Sequence, residues 1–317
     1  MDIKKNRIVY MGTPQFAANI LDGLMRNGYN IVAVVTQPDK AFGRKKELRP
    51  CETKQMALNY NLPVLTPNRI RNEYEEVLSY EPDLIITAAY GQIIPKAVLD
   101  YPKYKCINTH GSLLPKHRGG APIQRCLING DSETGMTIMY MDEKMDEGDI
   151  LFQKVLPIDE HDTNATLFTK LSDVALDMLL EFLPKLFTGD INPVKQNHEE
   201  ATYSYNLSKE DEFIRFDRPV KEVYNHIRGL LDNPGAFSIM NGKKYKFIKV
   251  FYDTDSVNES NVFTGLKENY LNISCLDGNI RVYKIQPEGK NAMDAKSFFN
   301  GAGRNLVGNK FDTEYNK

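Results

Sequence analysis

Three nearly continuous apolar runs, within Arg7 to Gly12, Asn30 to Val35 and Pro82 to Gly91, alternate with segments of helical periodicity. A strand with no polar face has no side to turn to water. Strands of this kind, separated by helices, build a parallel sheet covered on both faces. The expected class is therefore α/β. Gly12-Thr13-Pro14 turns the first run into a helix with Ala17, Ile20, Leu21 and Leu24 on one side. The glycine signal there is Gly12 alone rather than Gly-x-Gly-x-x-Gly, so the sheet is Rossmann-like without a dinucleotide fingerprint.

Further along, Glu52 to Asn59 reads as a helix, Leu62 to Leu65 as a short strand and Glu73 to Tyr80 as an amphipathic helix. Pro122 falls in the first turn of another helix, where its missing N–H costs nothing. Glu133 to Met141 and Asp149 to Ile158 read as adjacent strands with Gly148 as the turn residue between them. Ala165 to Thr188 is a long helix, stopped by Gly189 and Pro193.

The stretch 194–208 is polar and aperiodic, which sets a boundary: residues 1–190 form one domain, 191–207 a linker and 208–317 a second domain. That second part has a helix from Val220 to Leu230 and then short strands, with hairpin signals at Asn241-Gly242 and Asp277-Gly278. A small antiparallel β-barrel is expected. Within it, Lys243 to Lys249 alternates cations with aromatics, as either a surface that tracks a nucleic-acid backbone or a lysine-protected edge strand would.

Composition excludes several classes. Of 317 residues, 41% are hydrophobic and 26% charged, which is ordinary for a globular chain rather than a disordered one. Ile8 to Met11 is too short for a signal-peptide core, and no stretch approaches the ~20 apolar residues of a membrane span. A cytoplasmic, monomeric protein with no membrane association is expected. Cys51, Cys106, Cys126 and Cys275 lie far apart, so buried inert thiols are expected rather than a zinc or redox motif. The formal charge of -2 does not by itself predict a nucleic-acid partner.

Chemistry concentrates in Asn108-Thr109-His110-Gly111-Ser112-Leu113-Leu114-Pro115 and in Met145-Asp146-Glu147-Gly148-Asp149. Cys106-Ile107-Asn108 reads as a strand tail and Gly111 as the turn after it. An amide, an imidazole and a carboxylate then converge on one cleft. An Asn amide or imidazolium donates to a developing oxyanion, and an imidazole or carboxylate takes a proton from an attacking amine. This set suits acyl transfer between nitrogens. Ser112 lacks a Gly-x-Ser-x-Gly elbow and reads as a turn serine. The spacing of His110, His117 and Asp146 fits no zinc pattern, and no metal is expected.

Asn108-Thr109-His110, Ser112-Leu-Leu-Pro-Lys-His-Arg-Gly-Gly-Ala-Pro-Ile123 and Met141-Asp-Glu-Lys-Met-Asp-Glu-Gly-Asp149 resemble the core motifs of the methionyl-tRNA formyltransferase family. The resemblance implies a Rossmann-like formyltransferase domain followed by an oligonucleotide-binding-like barrel. It implies transfer of a formyl group from 10-formyltetrahydrofolate, as donor substrate, to the amino group of methionine on initiator methionyl-tRNA. Asn108, His110 and Asp146 match the family's catalytic triad. Tyr90, Gly91, Ile93 and Ile94, with Ser112, Leu113, Leu114 and Pro115, match its folate-binding segments, although plain core packing is the alternative for the first four.

The segment Gln37 to Pro50 holds Lys40, Arg44, Lys45, Lys46 and Arg49 against Asp39 and Glu47. Such a run is usually a solvated loop, but in the resembling family a basic loop here reaches tRNA. Gly43-Arg44-Lys45-Lys46-Glu47-Leu48 departs from the family's Gly-Arg-Gly-Lys-Lys-Leu by losing an internal glycine and gaining an acid. Ala201-Thr202-Tyr203 resembles the family linker, while Tyr205-Asn206 replaces part of its Ala-Pro-Lys. The alternatives are a formyltransferase acting on an amino-sugar nucleotide, an RNA-binding protein with a dead enzymatic domain, and a formate-releasing hydrolase.

Overall fold

A computed structural model of the chain describes residues 3–42 and 47–315. By packing, the chain divides into two units. One comprises Met1–Pro122, Glu133–Pro157 and Phe168–Tyr205, the other Ile123–Ser132, Ile158–Leu167 and Asn206–Lys317. Two segments from before residue 190 therefore count with the second unit.

The first unit is built on β1 (Ile8–Gly12), α1 (Gln15–Arg26), β2 (Ile31–Val35), β3 (Lys40–Phe42), β4 (Glu47–Arg49), α2 (Glu52–Asn59), β5 (Val64–Leu65), α3 (Glu75–Leu78), β6 (Leu84–Ala88), α4 (Lys96–Leu99) and β7 (Cys106–His110). From Ile123 on, α5 (Pro122–Asn129), whose first residue is the expected proline, counts with the other unit, and the first unit resumes with β8 (Glu133–Tyr140), β9 (Ile150–Pro157) and, from Phe168, α6 (Asn164–Thr188). A seven-stranded sheet runs β5-β2-β1-β6-β7-β8-β9. The strands from β5 to β7 are mutually parallel, as the apolar runs imply, whereas β8 and β9 are antiparallel.

Burial explains the core strands. Ile8, Val9, Tyr10 and Met11 are inaccessible to water, each such side chain contributing about 1.5–3 kcal/mol. The Tyr10 hydroxyl is satisfied by the Ala17 carbonyl at 2.7 Å. Chain order reverses between β1 and β6, since β2 and β5 lie on one side of β1 and β6 and β7 on the other. In open parallel sheets the crevice at such a switch, beyond the strand C-termini, is where ligands bind. Gly12 is needed there because a Cβ would meet Ala17 Cβ at 2.4 Å and the Ala88 carbonyl at 2.9 Å.

Several expectations change. The helix expected over Glu73 to Tyr80 shortens to α3, because the Glu73 carboxylate accepts the Arg69 N–H at 2.9 Å and is held in the preceding turn. The strand expected from Leu62 contracts to β5. The solvated loop expected from Gln37 to Pro50 contains a two-stranded ribbon, β3 against β4, pairing Lys40 with Arg49. Arg44, Lys45 and Lys46 lie outside the described residues. Cys106, Cys126 and Cys275 are buried, and burial pushes the Cys275 thiol up to about 12. No described helix is long and apolar enough to cross a membrane.

In the second unit, α7 (Val220–Leu230) precedes β10 (Ala236–Met240), β11 (Lys243–Asp253), β12 (Phe263–Lys267), β13 (Tyr270–Ser274), β14 (Asn279–Pro287), β15 (Met293–Asp294) and α8 (Ala295–Gly301). These strands form one antiparallel sheet of order β10-β11-β14-β13-β12, with β15 against β14. Its core holds Phe216, Phe247, Phe263, Phe298 and Phe311. Asn241 and Gly242, at φ 54° and 70°, make the expected tight hairpin. Gly278 serves a different need, since a Cβ would sit 2.2 Å from the Asp253 carbonyl. The edge-strand alternative for Lys243 to Lys249 does not hold: β11 lies between β10 and β14, and Tyr245 and Phe247 face the core while Lys243 and Lys249 are exposed. Lys244 covers the Phe237 ring at 3.5 Å.

Candidate active site

The end of β7 carries Asn108 and His110 at the C-terminal edge of the sheet. Strand alternation sends both side chains to one face, with Thr109 opposite. Asn108 lies between Thr87 on β6 and Met139 on β8. The Thr87 hydroxyl donates to Asn108 Oδ1 at 2.8 Å. This fixes the amide and leaves Nδ2 as the end that donates.

His110 is 6% exposed and is held by its other ring edge. Nε2 lies 2.9 Å from the His117 carbonyl. A carbonyl only accepts, so Nε2 carries the proton and Nδ1 is the basic end of the neutral ring. Nδ1 is 3.7 Å from Asp146 Oδ2. His110 and Asp146 are therefore brought together, with Asn108 two residues before His110 on the same face of β7, although the direct orienting bond to His110 comes from a backbone carbonyl. The turn after His110 closes through Ser112 N–H to the His110 carbonyl at 2.9 Å, while left-handed backbone falls later, at His117 (φ 58°) and Gly119 (φ 114°).

Asp146 is itself left-handed, at φ 54°, a conformation that costs a non-glycine residue energy and persists where surroundings enforce it. Those surroundings are specific. The Gly119 N–H donates to Asp146 Oδ2 at 2.8 Å, and Gln196 Nε2 donates to the Asp146 and Gly148 carbonyls, each at 2.8 Å. Gln196 Oε1 in turn accepts Arg118 Nη2 at 2.7 Å and Nε at 3.1 Å. Arg118 is 1% exposed and lies 3.5 Å from Glu147 Oε1. Gly148, expected as a turn residue, is required by close approach, because a Cβ would meet the Tyr140 carbonyl at 1.9 Å.

Arg118, Gln196 and Thr87 were not singled out from sequence. Thr87 had a signal, a polar residue inside the most apolar strand. Arg118 had none, since it stands in a Lys-His-Arg triplet that reads as surface, and Gln196 lies in what read as a featureless connector.

The connector is in fact docked. Arg118 N–H donates to the Thr202 carbonyl at 2.8 Å and Ser204 N–H to the Arg118 carbonyl at 2.7 Å. His117 N–H donates to Thr202 Oγ1 at 2.8 Å, and His117 Nδ1 lies 2.8 Å from Ser204 Oγ.

Residues of the other expected segment sit beyond β6. Tyr90 and Ile94 are each 4% exposed and packed in the core, whereas Gly91, at φ 87°, and Ile93 are exposed. The Tyr90 carbonyl accepts Thr13 Oγ1 at 3.1 Å and Gln37 Nε2 at 3.0 Å, fixing the turn at the switch point. Burial and the nearby Glu73 push the Tyr90 phenol well up, so it stays neutral. Ser112 is fully buried, donating to the Lys116 carbonyl at 2.6 Å, a structural turn serine as expected. Leu114 is buried, its carbonyl accepting Gln153 Nε2 at 2.8 Å, while Leu113 and Pro115 are half-buried. Lys40 and Arg49 are exposed on the ribbon. Among the described residues no group of three or more His, Cys, Asp or Glu is placed to hold a metal ion.

Residues 6–183 match the family described as "Formyl transferase" and residues 206–303 "Formyl transferase, C-terminal domain". A methionyl-tRNA formyltransferase from Geobacillus sp. (strain WCH70) is 45% identical over 98% of this chain and 99% of its own length. Among solved structures, WlaRD, a sugar 3N-formyl transferase in the presence of dTDP and 5-N-formyl-THF, aligns with TM-score 0.66 at 22% identity, covering 90% of this chain and 99% of that one. A methionyl-tRNA formyltransferase from Clostridium thermocellum aligns with TM-score 0.56 at 21% identity, covering 80% and 96%. At these identities the two structures speak for the fold.

Proposed function

The chain belongs to the methionyl-tRNA formyltransferase family, and from that premise we propose how its residues move a formyl group from 10-formyltetrahydrofolate to the amino group of methionine on initiator methionyl-tRNA, the formylation step of translation initiation. The observation that carries the reading is the match to a curated relative along essentially the whole of both chains.

In this proposal the methionine amine attacks the formyl carbon. Asn108 Nδ2, its partner Oδ1 tied to Thr87, donates to the formyl oxygen as charge develops there. His110 Nδ1, unprotonated while Nε2–H is held by His117, takes the proton that the amine must lose. Asp146 stabilises the resulting imidazolium across the 3.7 Å gap. Collapse of the tetrahedral species breaks the bond to folate N10, which recovers the proton from His110. Atoms and charge balance without a covalent enzyme intermediate.

The donor's ring system is assigned to the switch-point crevice, with the exposed Ile93 and Gly91 and the half-buried Leu113 and Pro115 as its apolar contacts, and Tyr90, Ile94, Ser112 and Leu114 shaping the wall from behind. Residues 1–190 supply the chemistry in this reading, 191–207 link, and 208–317, read as an oligonucleotide-binding-like barrel, help to position tRNA. The protein works as a cytoplasmic monomer without a metal.

Lys40, Arg44, Lys45, Lys46 and Arg49 are assigned to tRNA phosphates. Phosphate contacts release counterions, so acceptor affinity should fall steeply with salt. Neutralising Arg44, Lys45 and Lys46 together should flatten the slope of log affinity against log salt by up to about three units, one per phosphate contact. The folate KM should not move. A slope indifferent to the triple substitution would remove the basic segment from the interface.

A further inference from the structure

Within the first unit, segment 202–204 pairs with the loop after β7 through a parallel bridge of Tyr203 to Arg118. A trans peptide points its C=O and its N–H in opposite directions, so the group can be gripped from two sides at once. The peptide joining His117 to Arg118 is gripped in this way. Its carbonyl accepts His110 Nε2–H at 2.9 Å, and its N–H donates to the Thr202 carbonyl at 2.8 Å. The next peptide, joining Arg118 to Gly119, is gripped too. Its carbonyl accepts the Ser204 N–H at 2.7 Å, and its N–H donates to Asp146 Oδ2 at 2.8 Å. Two consecutive peptide groups thus lie between segment 202–204 and the side chains of His110 and Asp146, one for each.

The loop is held in a shape it would not choose alone. His117 is left-handed at φ 58°, a conformation that a residue with a Cβ keeps only where its surroundings enforce it. Segment 202–204 does the enforcing. Thr202 Oγ1 accepts the His117 N–H at 2.8 Å, and Ser204 Oγ lies 2.8 Å from His117 Nδ1. Ser204 is itself buried, and its carbonyl accepts the Ala121 N–H at 3.0 Å. The approach is close enough that a Cβ at Gly119 would meet the Ser204 carbonyl at 2.8 Å.

We infer that segment 202–204 is a positioning element of the transfer reaction: through these two peptide groups it keeps the His110 proton on Nε2 and holds Asp146 Oδ2 in place beside Nδ1. The inference rests on the mechanism proposed above and adds to it Thr202 and Ser204, which act through the loop rather than on a substrate. Hydrogen-bonded groups in series polarise one another. The Thr202 carbonyl, by accepting the Arg118 N–H, makes the His117 carbonyl a better acceptor for Nε2–H. Released from that acceptor, the neutral ring can carry its proton on Nδ1 instead, the atom that must be bare to take the amine's proton.

The test uses the full-length protein with one backbone amide at a time replaced by an ester, which keeps every side chain. The α-hydroxy analogue of tyrosine at 203 turns the Thr202 carbonyl into an ester carbonyl, a weaker acceptor for the Arg118 N–H. The α-hydroxy analogue of serine at 204 removes the N–H that grips the Arg118 carbonyl. Nitrogen-15 NMR of the His110 ring reads which nitrogen carries the proton, and steady-state kinetics separates kcat from KM. The unsubstituted protein should show the proton on Nε2. The ester at 203 should give a mixture of the two tautomers, whereas the ester at 204 should leave the proton on Nε2. Each should lower kcat about fivefold, as loss of one neutral hydrogen bond would, with the donor KM unchanged. A proton on Nδ1 in the unsubstituted protein would overturn the inference, as would a tautomer unmoved by the ester at 203 or a kcat unmoved by either ester. Normal turnover by His110→Ala would remove the mechanism and the role built on it, whereas an unmoved tautomer in a protein whose His110→Ala variant is inactive removes the positioning role alone.

Discussion

His110→Ala, Asn108→Ala and Asp146→Ala are each expected to lower kcat about a hundredfold or more while leaving the affinity for the folate donor within a few-fold. Loss of one preorganised donor at a developing oxyanion is worth ~3 kcal/mol, and Asn108 Nδ2 is that donor in the proposed mechanism. Losing the base is at least as damaging, because the amine proton then has no acceptor of suitable basicity. Asp146→Asn is the more discriminating change. It keeps an oxygen for the Gly119 N–H but removes the charge that stabilises the imidazolium. Steady-state rates at saturating donor and acceptor, with donor binding measured separately, decide the matter. Near-normal turnover by any alanine variant would withdraw that residue from the mechanism.

Arg118→Ala should cost about 3 kcal/mol of stability and depress kcat as well. Removing one partner of a buried ion pair leaves the other desolvated and uncompensated. Here Gln196 Oε1 loses the guanidinium it accepts from, and Glu147, which keeps Lys144 at 3.4 Å, loses its buried cation. Gln196 is what ties the Asp146 and Gly148 carbonyls in place, so the left-handed Asp146 should relax. Arg118→Met, which fills most of the volume without the charge, tests whether packing alone suffices. Chemical denaturation and kcat should both fall in the alanine variant. Unchanged stability would show that the network holds nothing.

The parallel core was legible because strands buried on both faces need uninterrupted apolar runs, and β1, β2 and β6 have them. The placement of Asn108 and His110 at a strand end, with Asp146 on the loop facing His110, was legible because a strand tail, a glycine and an acidic loop between two strands mark those positions. What was hidden depends on distant partners. Glu73 reads as a helical residue until its carboxylate is seen capping Arg69 N–H. Lys243 to Lys249 carries no mark separating an edge strand from one flanked on both sides. Arg118 looks like surface charge because burial of an arginine is decided by Gln196 and Glu147, each remote in sequence. The basic segment read as loop because its cross-strand pairing of Lys40 with Arg49 has no hydrophobic period to announce it.

The central claim is most directly tested by offering the protein 10-formyltetrahydrofolate with either methionyl-initiator tRNA or an amino-sugar nucleotide and following the formyl group into the acceptor by mass spectrometry. Formylmethionyl-tRNA should form rapidly, the sugar nucleotide should remain unformylated, and the His110→Ala variant should suppress the first reaction. Formylation of the sugar nucleotide alone, or release of formate with neither acceptor modified, would contradict the account.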